Sequence, residues 1–128
     1  MAKNIKLDDK SLKVIGKAYY RLSKKWRLEE DLARRLGGMN GEVWGKIKNG
    51  EDKTGLTGHQ AYRLMIMISL YERLHCYFGN PDLADRWPTL SHNSVTFSGN
   101  SPVDLMLEEG EDGMEKTLDY VDGMLARG

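Results

Sequence analysis

Three histidines, His59, His75 and His92, and one cysteine, Cys76, are the most chemically versatile side chains in this 128-residue sequence. Their spacing argues against a shared site. Zinc ligands come in short-range pairs, as in Cys-x-x-Cys or His-Glu-x-x-His, and these histidines stand 16 and 17 residues apart. Cys76 adjoins His75, and neighbours on a helix point to different faces. There is no Gly-x-Ser-x-Gly elbow, and neither phosphate-cradling glycine pattern occurs. The acidic stretch Glu108–Asp112 lacks the spacing of a calcium loop and reads as a solvated loop loosened by Gly110 and Gly113. No catalytic residue, metal ligand or cofactor is expected, and the protein is not expected to be an enzyme.

Binding chemistry has more to build on. The 19 Lys+Arg balance the 19 Asp+Glu overall, but residues 1–53 hold 14 bases against 8 acids and residues 54–128 hold 5 against 11. A basic half is the side that could meet a polyanion, although two solvated surfaces of opposite sign would show the same split. Within the basic half, Leu28–Leu36 and Gly41–Asn49 read as two short helices around Gly37-Gly38, the layout of a helix-turn-helix. In that layout Ala33 allows close approach, and the second helix leaves a polar edge for the major groove. Asn40, Glu42, Gly45, Lys46 and Asn49 lie on the edge, with Lys48 beside them. Arg34 and Arg35, with Lys24 and Lys25, could meet phosphates, which set register and salt-dependent affinity. A generic helical hairpin is the competing reading, and Gly41 and Gly45 each weaken the second helix by about 1 kcal/mol relative to Ala. The register is open by one residue: counting from Gly37 puts Val43 inside, and counting from Gly38 puts Trp44 there.

The elements that must position these groups follow from apolar periodicity. Leu12, Ile15, Tyr19, Leu22 and Trp26 recur at three- and four-residue spacing and predict a helix over 10–26. Thr57 and Gln60 form a capping box at the start of a helix over 57–78. Ala61, Leu64, Met65, Ile68 and Tyr71 line one face of that helix. Ile66, Met67 and Leu70 make its other faces apolar, so it must be covered nearly all round, either by its own chain or partly by a second subunit. Met65, Ile66, Met67 and Leu70 are the residues assigned to a homodimer contact. Asn80-Pro81 and Ser101-Pro102 open two further helices. The loop between them is anchored inward by Val95 and Phe97, an acidic break spans 108–113, and a last helix covers 114–126 with Leu118, Val121 and Leu125 inside. The expected fold is all-α: a helix-turn-helix subdomain (1–56) joined by the long central helix to a small helical C-terminal subdomain (57–128).

These segments together resemble the MbcA/ParS/Xre antitoxin family. Trp26-Arg27-Leu28, the Leu-Gly turn and Lys46-Ile47-Lys48-Asn49-Gly50 are similar to its Xre-type helix-turn-helix. Arg63-Leu64, Leu70 to His75, Phe78, Ala84, Trp87, Gly99 to Met106 and Gly113 to Gly128 resemble its C-terminal toxin-binding domain. The resemblance covers about residues 10–128. It implies a type II antitoxin, typically a homodimer, that neutralises a RES-domain toxin, an enzyme that destroys NAD. The C-terminal region would cover the toxin's active site while the helix-turn-helix represses the operon. By position, Tyr120, Asp122, Met124, Leu125, Ala126, Arg127 and Gly128 would belong to the plugging segment, supported by Ser101 and Asp104, and residues 40–49 would face operator DNA. The other reading is a plain transcription regulator whose C-terminal half only dimerises or senses a ligand. The N-terminal MAKNIKLDDKSLK lacks an apolar leader core. The longest near-apolar run, 64–71, is far short of the ~20 residues of a membrane span. A single cysteine suits a reducing compartment. A cytoplasmic protein without a membrane partner is expected.

Overall fold

The computed structural model describes residues 4–128, so the expected region 1–56 is compared from residue 4. The described residues form seven α-helices and one 3₁₀ turn, with no strand. The helices are α1 (Asp9–Lys25), α2 (Glu30–Leu36), α3 (Gly41–Lys48), α4 (Gly58–Phe78), α5 (Pro81–Arg86), α6 (Pro102–Glu109) and α7 (Glu111–Arg127), with the 3₁₀ turn Trp87–Thr89 after α5. The all-α expectation holds. The chain divides into two compact units whose boundary falls between Ile68 and Ser69. This is the middle of α4, whereas the sequence puts the boundary ahead of that helix.

In the first unit the Asp8 carboxylate caps α1 by accepting from the Ser11 amide at 2.8 Å, which holds its pKa below the usual carboxylate range. The predicted stripe on α1 faces inward at Tyr19, Leu22 and Trp26. The Tyr19 hydroxyl donates to the Ala33 carbonyl at 2.6 Å, tying α1 to α2, and burial pushes that phenol's pKa far up. After α2 the chain reverses at Gly38, whose φ of +67° is a left-handed conformation that costs residues with a Cβ. Asn40 then caps α3 by accepting from the Val43 amide at 2.9 Å.

The capping box of α4 is formed in both directions. Thr57 N donates to Gln60 Oε1 at 2.9 Å, and Gln60 N donates to Thr57 Oγ1 at 3.1 Å. The over-apolar character of this helix resolves differently from the dimer assignment. Ile66, Met67 and Leu70 are 6%, 0% and 1% exposed: this chain already covers them, and of the four assigned residues only Met65, at 42%, is exposed.

In the second unit Asn80 caps α5 through the Asp82 and Leu83 amides, and Ser101 caps α6 through the Asp104 amide at 3.1 Å. Two loop expectations are corrected here. Phe97 is buried as expected, but Val95 is 98% exposed. Residues 95–99 form tight turns, with Ser98 N bonded to Ser94 O at 2.8 Å, so residues two apart do not share a side as they would in extended chain. The acidic break is also shorter than predicted. Helix α6 continues through Glu109, and Gly110 alone (φ +64°) separates it from α7. The two helices come together at Gly113, where an added Cβ would stand 2.7 Å from the Leu105 carbonyl oxygen. Met114, Thr117 and Val121 complete the buried face of α7.

The glycines of the first unit divide into required and dispensable. Gly38→Ala should destabilise by about 1–2 kcal/mol because of its left-handed backbone. Gly45→Ala, which meets nothing within 4 Å inside a helix, should stabilise by about 0.5–1 kcal/mol. Urea unfolding reads both, and a neutral Gly38→Ala would remove the need for a glycine turn. In the second unit Phe97→Ala should cost about 3–5 kcal/mol and Val95→Ser less than about 0.5 kcal/mol. Similar costs for the two would contradict the loop's orientation.

Candidate functional site

The helix pair α2–α3 carries the expected nucleic-acid edge, and its register is settled by packing. Trp44 is 4% exposed and Val43 half-buried, so the count runs from Gly38. The edges of Tyr19 and Tyr20 meet the Trp44 ring with centroids 6.0 and 5.7 Å apart. The indole Nε1–H donates to Glu30 Oε1 at 3.2 Å, and Lys48 Nζ donates to the same oxygen at 2.6 Å. These bonds, Lys48 first, hold the Glu30 carboxyl below its ordinary pKa range.

The other cations of this edge are also engaged. Lys46 stands 3.4 Å from Glu42 on the preceding helical turn. Arg34 donates to the Met39 carbonyl and to Asp31, each at 2.8 Å, and Arg35 is 4.0 Å from the other Asp31 oxygen. Arg34 holds Asp31 below its usual pKa. Asn40 spends its side-chain oxygen as the α3 cap, and Asn49 is exposed at the α3 C-terminus. Each of the four cations on α2 and α3 is partnered by a carboxylate. Exposed pairs of this kind contribute at most about 1 kcal/mol each, so a phosphate can displace them at small cost.

In the second unit the expected partner-binding residues separate by role. Ser101 is a buried cap. Tyr120 is half-buried and stacks on Trp87 at 6.1 Å, with its ring against the edge of Phe97 at 5.0 Å. Asp122 accepts an ion pair from Arg73 at 2.6 Å, latching α7 to the second half of α4. Asp104 is exposed in the first turn of α6, Met124 and Leu125 are half-buried, and Ala126, Arg127 and Gly128 are exposed. Leu125 borders a shallow groove of about 430 Å³ with Ser69, Glu72, Arg73 and Cys76. Gly128 lies against Tyr77: a Cβ on it would be 3.0 Å from Tyr77 Cε1.

A further pair was not visible in the sequence. His75 Nε2 and Asp85 Oδ1 are 2.7 Å apart, with the Tyr71 ring 4.2 Å from the imidazole centroid. Burial, then the Asp85 charge, raises the Tyr71 pKa. Ten residues separate His75 from Asp85, and only the turn into α5 brings them together. Among the described residues no three His, Cys, Asp or Glu side chains are grouped to hold a metal ion. No helix among them is long and apolar enough to cross a membrane.

The fold and this geometry define an all-α protein whose first unit joins two short helices, α2 and α3, through a left-handed glycine. No protein-family model, curated protein or solved structure matches the chain.

Glu30 joins the interior of α3 to its solvent edge, and its depressed pKa gives the sign of its pH dependence. The carboxylate contributes stability above its unfolded pKa, and that contribution is lost as pH falls through its lower folded pKa. Glu30→Gln should therefore lower the urea midpoint at neutral pH, with the difference from the parent protein closing as pH falls through the lowered folded pKa of Glu30. A difference that persists undiminished in acid would show that the carboxylate charge is not what matters.

Proposed function

We propose that the protein is a type II antitoxin of the MbcA/ParS/Xre kind, binding and neutralising a RES-domain, NAD-degrading toxin through its second unit and binding operator DNA through its first. The observation that carries this reading is the end of α7. Asp122 is latched by Arg73, so the helix is held, yet residues 126–128 beyond the latch are exposed. A short exposed segment on a fixed base can enter a partner's cavity with little loss of conformational freedom.

Charge supports the same reading. Divided at its structural boundary, the chain has 15 bases against 8 acids in residues 1–68 and 4 against 11 in residues 69–128. An acidic unit complements a pocket built to attract an anionic dinucleotide. The first unit supports DNA binding through its ordered helix–glycine–helix turn, with Trp44 inside and the α3 edge outside. A homodimer belongs to the proposal, with Met65 as its exposed apolar residue on α4. One observation favours the plain-regulator reading, in which no toxin is bound: Gly128 packs on Tyr77 of its own unit, as a merely structural tail would.

Truncation separates the two readings, provided the core is spared. Removing residues 119–128 would also remove Tyr120 and the fully buried Val121, so the informative deletion is the exposed residues 126–128. Co-expressed with a RES-domain toxin from its own host, the shortened chain should fail to rescue growth. Its thermal stability should stay within about 0.5 kcal/mol of the parent, as for other surface changes. Full rescue by the shortened chain would overturn the plug. Complex formation between the intact proteins should weaken as salt is raised, and a salt-independent association rate would remove the role given to charge.

A further inference from the structure

The strongest uncompensated charge in the first unit is not on α3. From Lys10 to Leu28 the sequence contains seven Lys or Arg and no Asp or Glu. Lys13 is taken by Asp52 at 2.7 Å. Lys10, Lys17, Arg21, Lys24 and Lys25 are all exposed and fall within an arc of about 100° on the outer face of α1, counted at 3.6 residues per turn. The opposite face, Gly16, Tyr19, Leu22 and Ser23, is buried. None of the five forms an ion pair with a described carboxylate. Glu30 lies near enough to Lys24 to feel its charge, but its hydrogen bonds go to Lys48 and Trp44. Lys24 rests over the Tyr20 ring, 5.2 Å from its centroid.

We propose that this outer face of α1, rather than the edge of α3, supplies the main phosphate-backbone contact when the first unit binds nucleic acid. The proposal rests on the DNA-binding part of the function above and assigns it to a different surface. Lys17–Arg21 and Arg21–Lys25 are like-charge pairs one turn apart, which repel. A polyanion laid along the helix turns that repulsion into attraction. The stripe from Lys10 to Lys25 is about 22 Å long at 1.5 Å per residue, and a DNA strand presents a phosphate about every 3.4 Å of axis, so several can be met at once. A lipid surface fits less well. An interfacial helix needs a wide apolar face beside its cations, and the apolar face of α1 is already buried in its own unit, leaving only Val14 exposed on the stripe. On α3, by contrast, the attraction of Lys46 and Lys48 for a phosphate is offset by the neighbouring charges of Glu42 and Glu30.

The test uses the full chain and a fluorescently labelled DNA duplex of arbitrary sequence, because backbone contacts do not read bases. If four phosphates are neutralised, affinity should fall about 100-fold between ~50 and ~200 mM salt. The triple reversal Lys17→Glu, Arg21→Glu, Lys25→Glu should weaken binding at least ~10-fold and flatten the salt dependence. Arg35→Glu, Lys46→Glu, Lys48→Glu changes net charge equally and should weaken it less. A milder set, Lys17→Gln, Arg21→Gln, Lys25→Gln, should fall between the parent and the first reversal, and circular dichroism checks that each variant is folded. Equal losses from the two reversals, or a greater loss from the α2–α3 set, overturn the assignment to α1 while the DNA-binding reading stands. No binding by the parent chain overturns both. Tighter binding to anionic phospholipid vesicles than to the duplex also overturns the proposal.

Discussion

One glutamine side chain joins the two turns on which the first unit depends. Gln60 Oε1 accepts from the Thr57 amide and so closes the start of α4. Its Nε2 donates at 2.9 Å to the carbonyl of Gly38, the left-handed residue between α2 and α3. Three residues on, the Arg63 guanidinium reaches the Leu36 carbonyl at the end of α2. A reversal between two short helices leaves carbonyls without helical partners, and here α4 supplies donors to two of them. The first turn of the long helix therefore fixes the angle between the two short ones, and with it the direction in which α3 presents its edge.

Electrostatics acts at two levels around that frame. On α2 and α3 nearly every cation has a local carboxylate, and Glu30 serves both the buried indole and an exposed lysine. Such an arrangement keeps side chains in place and spends little charge on the surroundings. On α1 every cation of the outer face except Lys13, which Asp52 takes, lacks such a partner, so their field extends outward. The second unit is the counterpart, with acids in excess and the ion pairs Arg73–Asp122 and Lys116–Glu109 holding its last helix. The proposed division of labour, polyanion at one unit and toxin at the other, follows from where charge is left unspent rather than from the net charge of zero.

The local grammar of the chain was legible. The capping residues Thr57, Asn80 and Ser101 are each followed by a helix, because a cap satisfies amides within three or four residues of itself and needs no distant partner. The loop around Val95 departs from expectation for the complementary reason. Alternation predicts sidedness only in extended chain, and hydrogen bonds to Ser94 curl this segment into turns. The charge of the acidic stretch after Leu107 predicts a break, yet Glu108 and Glu109 continue α6. Exposed acids are compatible with a helix whose other face is buried.

What the sequence by itself determined was the helical class, most helix starts, the separation of basic from acidic halves and the residues that could form a helix-turn-helix. All of these depend on neighbours within a few positions or on counting. Only the tertiary structure decided whether Val43 or Trp44 enters the core, that Ile66, Met67 and Leu70 are covered by their own chain, and that the boundary between units falls inside α4. It also decided which cations remain unpaired, since Lys48 finds Glu30 across 18 residues and Lys13 finds Asp52 across 39. Burial and ion pairing are properties of distance in space, and a one-dimensional pattern carries them only when the partners lie on the same helix.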